Sequence, residues 1–158
     1  MSIGKHYYGF SIDKEFFKEF ENREIEGADL LVSLTLERSV SLIEIKAHIV
    51  GKVLIECDRC LDELELELDT HATLVVKFTA NPLDDEDGEI LRLDPNESEL
   101  DLKQFLYDTA YLGLPMQRVH EEKKCNPQMI ERLNALTKGE PTAKIDSSPF
   151  DKLKDLLN

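Results

Sequence analysis

The sequence predicts an α+β fold, an antiparallel β-sheet from the N-terminal half packed with helices from the C-terminal half. Two observations carry the prediction. Between Leu30 and Phe78 the apolar residues recur at every second position, the period of a strand with one buried face. Beyond Leu100 they recur at helical spacing, bracketed by helix start and stop residues. With 41% hydrophobic and 33% charged residues among 158, the chain can bury a core and does not have the composition of a disordered protein.

Asp13 to Glu24 shows a short helical pattern, with Asp13 placed as N-cap and Phe16, Phe17 and Phe20 on one face. Gly27 punctuates. Leu30, Val32, Leu34 and Leu36 then alternate with mostly polar neighbours, as do Ile43, Ile45, Ala47 and Ile49, and after Gly51 Val53 and Ile55. Leu64, Leu66 and Leu68 alternate with Glu63, Glu65 and Glu67, and the parity continues through Ala72, Leu74, Val76 and Phe78. The glutamate stripe reads as a solvated strand face. His48 and His71 fall on the polar parity and read as solvent-facing strand residues rather than ligands.

Asn81 to Gly88 breaks the pattern with Asn-Pro and an acidic run. Asp85, Asp87 and Glu89 alternate as in a calcium loop, but counting from Asp85 the twelfth position is Asn96, not a bidentate Glu. The segment reads as an exposed loop. Asp101 and Gln104 form a capping-box pattern ahead of a stripe of Leu102, Phe105, Leu106, Thr109 and Leu112, which Pro115 ends. Asn126 and Pro127 open a further helix with Met129, Ile130, Leu133 and Leu136 on one face and Gly139 as its stop. The expected organisation is one α+β domain over residues 1–138, a linker over 139–148 and a C-terminal helix over 149–158.

The chain carries 33 acidic and 19 basic residues, a formal net charge of −14. Such a field repels phosphate backbones and attracts basic partners. The basic residues that could form a local RNA-binding patch are Arg118, Lys123 and Lys124, interrupted by Glu121 and Glu122, with Lys138 and Lys144 further on. No stretch approaches the ~18 apolar residues of a membrane span, and residues 1–10 have no long apolar run. A cytoplasmic protein is expected.

Three cysteines fit poorly with a secreted disulfide framework. Cys57-Asp58-Arg59-Cys60 is a C-x2-C between two strand-like segments, and His120 and Cys125 follow about sixty residues later. Cys57, Cys60, His120 and Cys125 make a complete tetrahedral zinc set that uses every cysteine of the chain. Two other readings stand beside it. The pair could be redox-active, although thioredoxin-like pairs open a helix and here strand alternation resumes after Cys60. The cysteines could also be ordinary small loop residues, with His120 on the surface. No G-x-S-x-G, phosphate-cradling glycine loop, H-E-x-x-H or dinucleotide fingerprint is present, so no enzyme is expected.

Cys57-Asp58-Arg59-Cys60-Leu61 resembles the C-x-R-C-L signature of the YceD-like family of large ribosomal RNA subunit accumulation proteins. Leu112-Gly113-Leu114-Pro115-Met116, running on to His120 and Cys125, is similar to that family's second signature, and Leu100-Asp101-Leu102 before it also matches. Ser148-Pro149-Phe150 leading to Leu153 resembles its N-P-F-x-x-L ending, with Ser in place of Asn. The resemblance spans roughly residues 40–158. It implies a non-enzymatic role in producing or stabilising large-subunit ribosomal RNA during assembly. The family's genes commonly neighbour that of a small, basic large-subunit ribosomal protein, so a basic ribosomal protein or a pre-ribosomal particle is the expected partner. A direct RNA-binding module with a zinc knuckle, and a Cys57/Cys60 thiol redox protein, are the competing functions.

Overall fold

Strand β1 (Gly4–Asp13) opens the fold, followed by helix α1 (Lys14–Glu19), β2 (Ile25–Arg38), β3 (Leu42–Glu56), β4 (Glu63–Phe78), β5 (Ile90–Leu93), α2 (Lys103–Leu112) and α3 (Pro127–Thr137). This is a computed structural model, and it describes residues 2–78, 90–93 and 99–137. The expected loop over 81–88, linker over 139–148 and terminal helix over 149–158 lie outside the described residues. The strands form one sheet in the order β1-β2-β3-β4-β5. The first four are antiparallel, as the sequence predicts, and β5 adds a short parallel edge on β4, Val75 opposite Ile90.

One face of this sheet carries the core. Leu30, Val32, Leu34 and Leu36 of β2, Ile43, Ile45, Ala47, Ile49, Val53 and Ile55 of β3, and Leu64, Leu68 and Val76 of β4 are all buried. These are nearly all residues that the alternation assigns inward. Phe17 of α1 and Leu106 and Ala110 of α2 close over them, and α2 packs against β3 and β4. The stripe on α2 is rotated from the expected one: Leu106, Thr109 and Ala110 are buried, whereas Leu112 points outward.

The boundaries differ from the sequence expectation for local reasons. Strand β1 carries adjacent aromatics at Tyr7 and Tyr8, which blur its alternation, and it is an edge strand with Tyr7, Tyr8 and Phe10 exposed. Helix α1 is shorter than Asp13–Glu24. Asp13 does cap it, accepting from the Glu15 and Phe16 N–H groups at 3.0 and 3.4 Å. Glu21 then takes a positive φ of 55°, and Asn22 Oδ1 accepts from the Glu24 and Ile25 N–H groups, which launches β2 ahead of its clean alternation. Gly27 lies inside β2 at a register shift. The capping box at α2 does not form: Asp101 accepts from the Lys103 N–H at 2.8 Å, while Gln104 bonds Asp108.

Gly113 ends α2 against the sheet. A Cβ there would lie 2.8 Å from Thr70 Cβ and 2.9 Å from Leu68 Cδ1 of β4. The end of α2 therefore lies directly on β4.

Candidate metal centre

The β3–β4 connection is the first half of the site. Cys57 follows the last residue of β3, and the chain turns within Asp58–Leu61 before β4 begins at Glu63. The Cys57 carbonyl accepts from the Leu61 N–H at 2.9 Å, and the Cys57 N–H donates to the Asp62 carbonyl at 2.9 Å. Leu61 takes a φ of 65° to complete the turn. The pair thus sits on a hairpin knuckle with no helix after it, which removes the local geometry of a thioredoxin-like thiol.

The second half comes from the segment between α2 and α3. Leu114 and Val119 pack on the core cluster, and Arg118 locks the segment to the knuckle. Its carbonyl accepts from the Asp58 N–H at 2.8 Å, and its own N–H donates to Asp58 Oδ2 at 3.0 Å. The Arg118 guanidinium donates to Glu24 Oε2 at 2.8 Å, and the Tyr111 hydroxyl donates to the same oxygen at 2.7 Å. A turn closed by Lys124 N–H to the Glu121 carbonyl, with Lys123 at φ 69°, delivers Cys125. Asn126 then caps α3 as expected, its Oδ1 accepting from the Gln128 N–H at 3.0 Å.

These elements bring Cys57, Cys60, His120 and Cys125 together, with one donor atom from each lying within 4.8 Å of the others. The three cysteines are buried, at 0%, 1% and 6% exposed, and all are free thiols. Cys60 Sγ lies 3.3 Å from His120 Nδ1. On the far side of the ring, His120 Nε2 lies 2.9 Å from the Glu63 carbonyl. An N–H donated to that carbonyl leaves Nδ1 as the lone-pair nitrogen facing the sulfurs, the outer-shell arrangement usual for a ligating histidine. A tetrahedral ion bound at about 2.3 Å to each sulfur separates the sulfurs by about 3.8 Å, so the observed spacing suits one ion. The cluster could therefore hold a metal.

The electrostatics favour the thiolate at one cysteine and the thiol at another. Burial pushes the Cys57 thiol up, but backbone N–H groups of Cys60, His120 and Arg59 aimed at the sulfur bring it down to about 6. Burial lowers His120, yet its bonds to the Cys57 and Cys60 sulfurs raise it overall. Cys125 is pushed up by burial and by the neighbouring sulfurs of Cys60 and Cys57.

Sequence reasoning misses the bracing of this site. The sequence offers Arg118 for a basic patch; instead its guanidinium pairs with Glu24 and Asp58. Lys124 pairs with Glu121 at 2.7 Å, and Lys138 and Lys144 lie outside the described residues. No periodicity signals a partnership between Glu24 and Arg118, which are 94 positions apart. The Arg118 and Tyr111 hydrogen bonds hold the Glu24 carboxyl below its ordinary value of 4.5. A depressed acid stabilises the fold above its unfolded pKa and loses that contribution as pH falls through the folded one. Glu24→Gln is accordingly expected to cost about 1 kcal/mol at neutral pH. The gap to the parent protein should shrink to nothing in urea titrations run at progressively lower pH below 4.5.

The fold and the site define the class: an acidic α+β protein in which a Cys3His cluster joins a sheet hairpin to the segment between two helices. A family model, Large ribosomal RNA subunit accumulation protein YceD, matches residues 45–157, and the chain belongs to this family. The family is thus named for a role in accumulation of the large ribosomal RNA. No curated protein and no solved structure gives a significant match. Among the described residues no helix is long and apolar enough to cross a membrane.

Proposed function

We propose that this chain is a non-enzymatic cytoplasmic factor that supports large-subunit ribosomal RNA accumulation through a basic ribosomal protein or a pre-ribosomal particle. Family membership carries the reading, and the net charge of −14 gives it a physical form. An acidic escort meets a basic partner faster and screens its positive charge from premature contact with RNA. Extensive direct contact with RNA is disfavoured by the same field, and two of the basic residues expected to make it, Arg118 and Lys124, are already ion-paired.

In this reading zinc is structural, held by Cys57, Cys60, His120 and Cys125. Four protein ligands leave no open position for substrate or water. Bound there, the ion would supply a cross-link between the β3–β4 knuckle and the 118–125 segment. It would also keep the thiols unreactive, so that a thiol reagent titrates them only after chelation; free titration without chelator would favour the redox alternative.

The function is tested by mixing the purified protein with individual basic large-subunit ribosomal proteins, and separately with large-subunit ribosomal RNA, across a salt series. The expected result is salt-sensitive association with a basic protein and little binding to naked RNA. Tight RNA binding that weakens steeply with salt, with no protein association, would overturn the escort reading.

A further inference from the structure

On the solvent face of the sheet, opposite the core, His48 of β3 pairs directly across from His71 of β4. Asp69 precedes His71 by two residues, so strand alternation places it on the same face. Asp69 Oδ1 lies 2.8 Å from His48 Nε2 and 3.8 Å from His71 Nε2. The two imidazoles lie 4.3 Å apart, centroid to centroid, inclined by 31°. One donor atom from each of the three residues lies within 4.8 Å of the others.

The backbone beneath this cluster is rigid. Ala47 and Ile49, which flank His48, point into the core and are buried, and both strands are paired without interruption from Leu42–Lys77 to Glu56–Glu63. The side chains above it are solvent-exposed, at 45%, 71% and 69% for His48, Asp69 and His71. A divalent ion bonded at about 2.1 Å to nitrogen and oxygen needs donor atoms about 3.0–3.4 Å apart. The Asp69 oxygen is closer than this to His48 and farther than this from His71, so the side chains must rotate for all three to share one ion. Nearby cations do not oppose it: Lys52 is tied to Glu65 at 2.6 Å, and Lys46 to Glu44 at 3.2 Å.

We propose that His48, Asp69 and His71 form a second metal site on the open face of the sheet. Two imidazoles and one carboxylate select a divalent transition ion such as zinc or nickel over calcium or magnesium, which take oxygen ligands. Unlike the cysteine cluster, this set supplies only three ligands. The remaining positions are open to water.

The test is a zinc titration of tag-free protein, followed by calorimetry and by NMR of the histidine rings. The chain has four histidines, so each ring can be followed separately. Zinc binding beyond that taken by the cysteine cluster is expected to shift the His48 and His71 rings together and to leave His6 unmoved. His48→Ala and His71→Ala should each weaken this binding at least tenfold with unchanged far-UV circular dichroism. Unaltered affinity in either variant, or no shift of the two rings, would overturn the proposal, whatever the cysteine cluster holds.

Discussion

Cys57→Ser is expected to abolish metal binding at the cysteine cluster and to destabilise the zinc-loaded protein by at least about 3 kcal/mol, since a ligand that binds only the folded state stabilises it by an amount that grows with the logarithm of its affinity. The loss should be uneven. Most of the sheet core consists of β2, β3 and β4 side chains covered by Phe17, Leu106 and Ala110, none of which is a ligand in the cluster. The 114–125 segment has few anchors besides the site: the Arg118 contacts and the half-buried Leu114 and Val119. Helix α3 buries no residue completely, and its Leu133 and Leu136 are 41% and 79% exposed. Hydrogen exchange should therefore accelerate across 114–137 in the variant, or after chelation of the parent protein, while β2 and β3 stay protected. Uniform protection in both forms would show that the cluster contributes nothing to holding the two halves together.

Gly51→Ala is expected to cost about 2–4 kcal/mol, measured as a shift in the denaturant midpoint with an unchanged slope. Gly51 sits in β3 at φ 149°, and a Cβ built there would fall 2.1 Å from the Asp29 carbonyl oxygen and 2.9 Å from Leu30 Cα. Both obstacles are backbone of the neighbouring strand, so neither can be relieved by a side-chain rotation. The strands must separate at Leu30, which is completely buried. Gly4 provides the control. Its φ is 131°, but a Cβ added there would meet nothing within 4 Å, so Gly4→Ala should cost only about 1 kcal/mol through its backbone. Equal effects at the two glycines would mean that the contact with β2 is not what matters at Gly51.

Most of the sheet is legible in the sequence because one face is apolar and the other charged. Alternation from Leu30 to Phe78 assigns the buried face of three strands residue by residue. Strand β1 is illegible because Tyr7 and Tyr8 interrupt its parity and an edge strand is under less pressure to hide one side. The four residues of β5 carry too short a pattern to recognise. The cysteine cluster is legible as a set of residue types, but spacing alone does not bring together residues about sixty positions apart. That depends on the packing of Gly113 against Thr70 and on the Asp58–Arg118 hydrogen bonds. The His48–His71 pair is hidden differently. Each alone reads as a surface residue, yet each lies eight residues from the hairpin end formed by Glu56 and Glu63. Taking the C-x2-C knuckle as the turn and counting back along both strands places them opposite one another.

The central claim is that four side chains from two distant segments hold one structural ion. Zinc-edge X-ray absorption of protein carrying a single equivalent of zinc tests it most directly. The site predicts three sulfurs at about 2.3 Å and one nitrogen at about 2.0–2.1 Å. A shell of nitrogen and oxygen alone, or one with only two sulfurs, would contradict it.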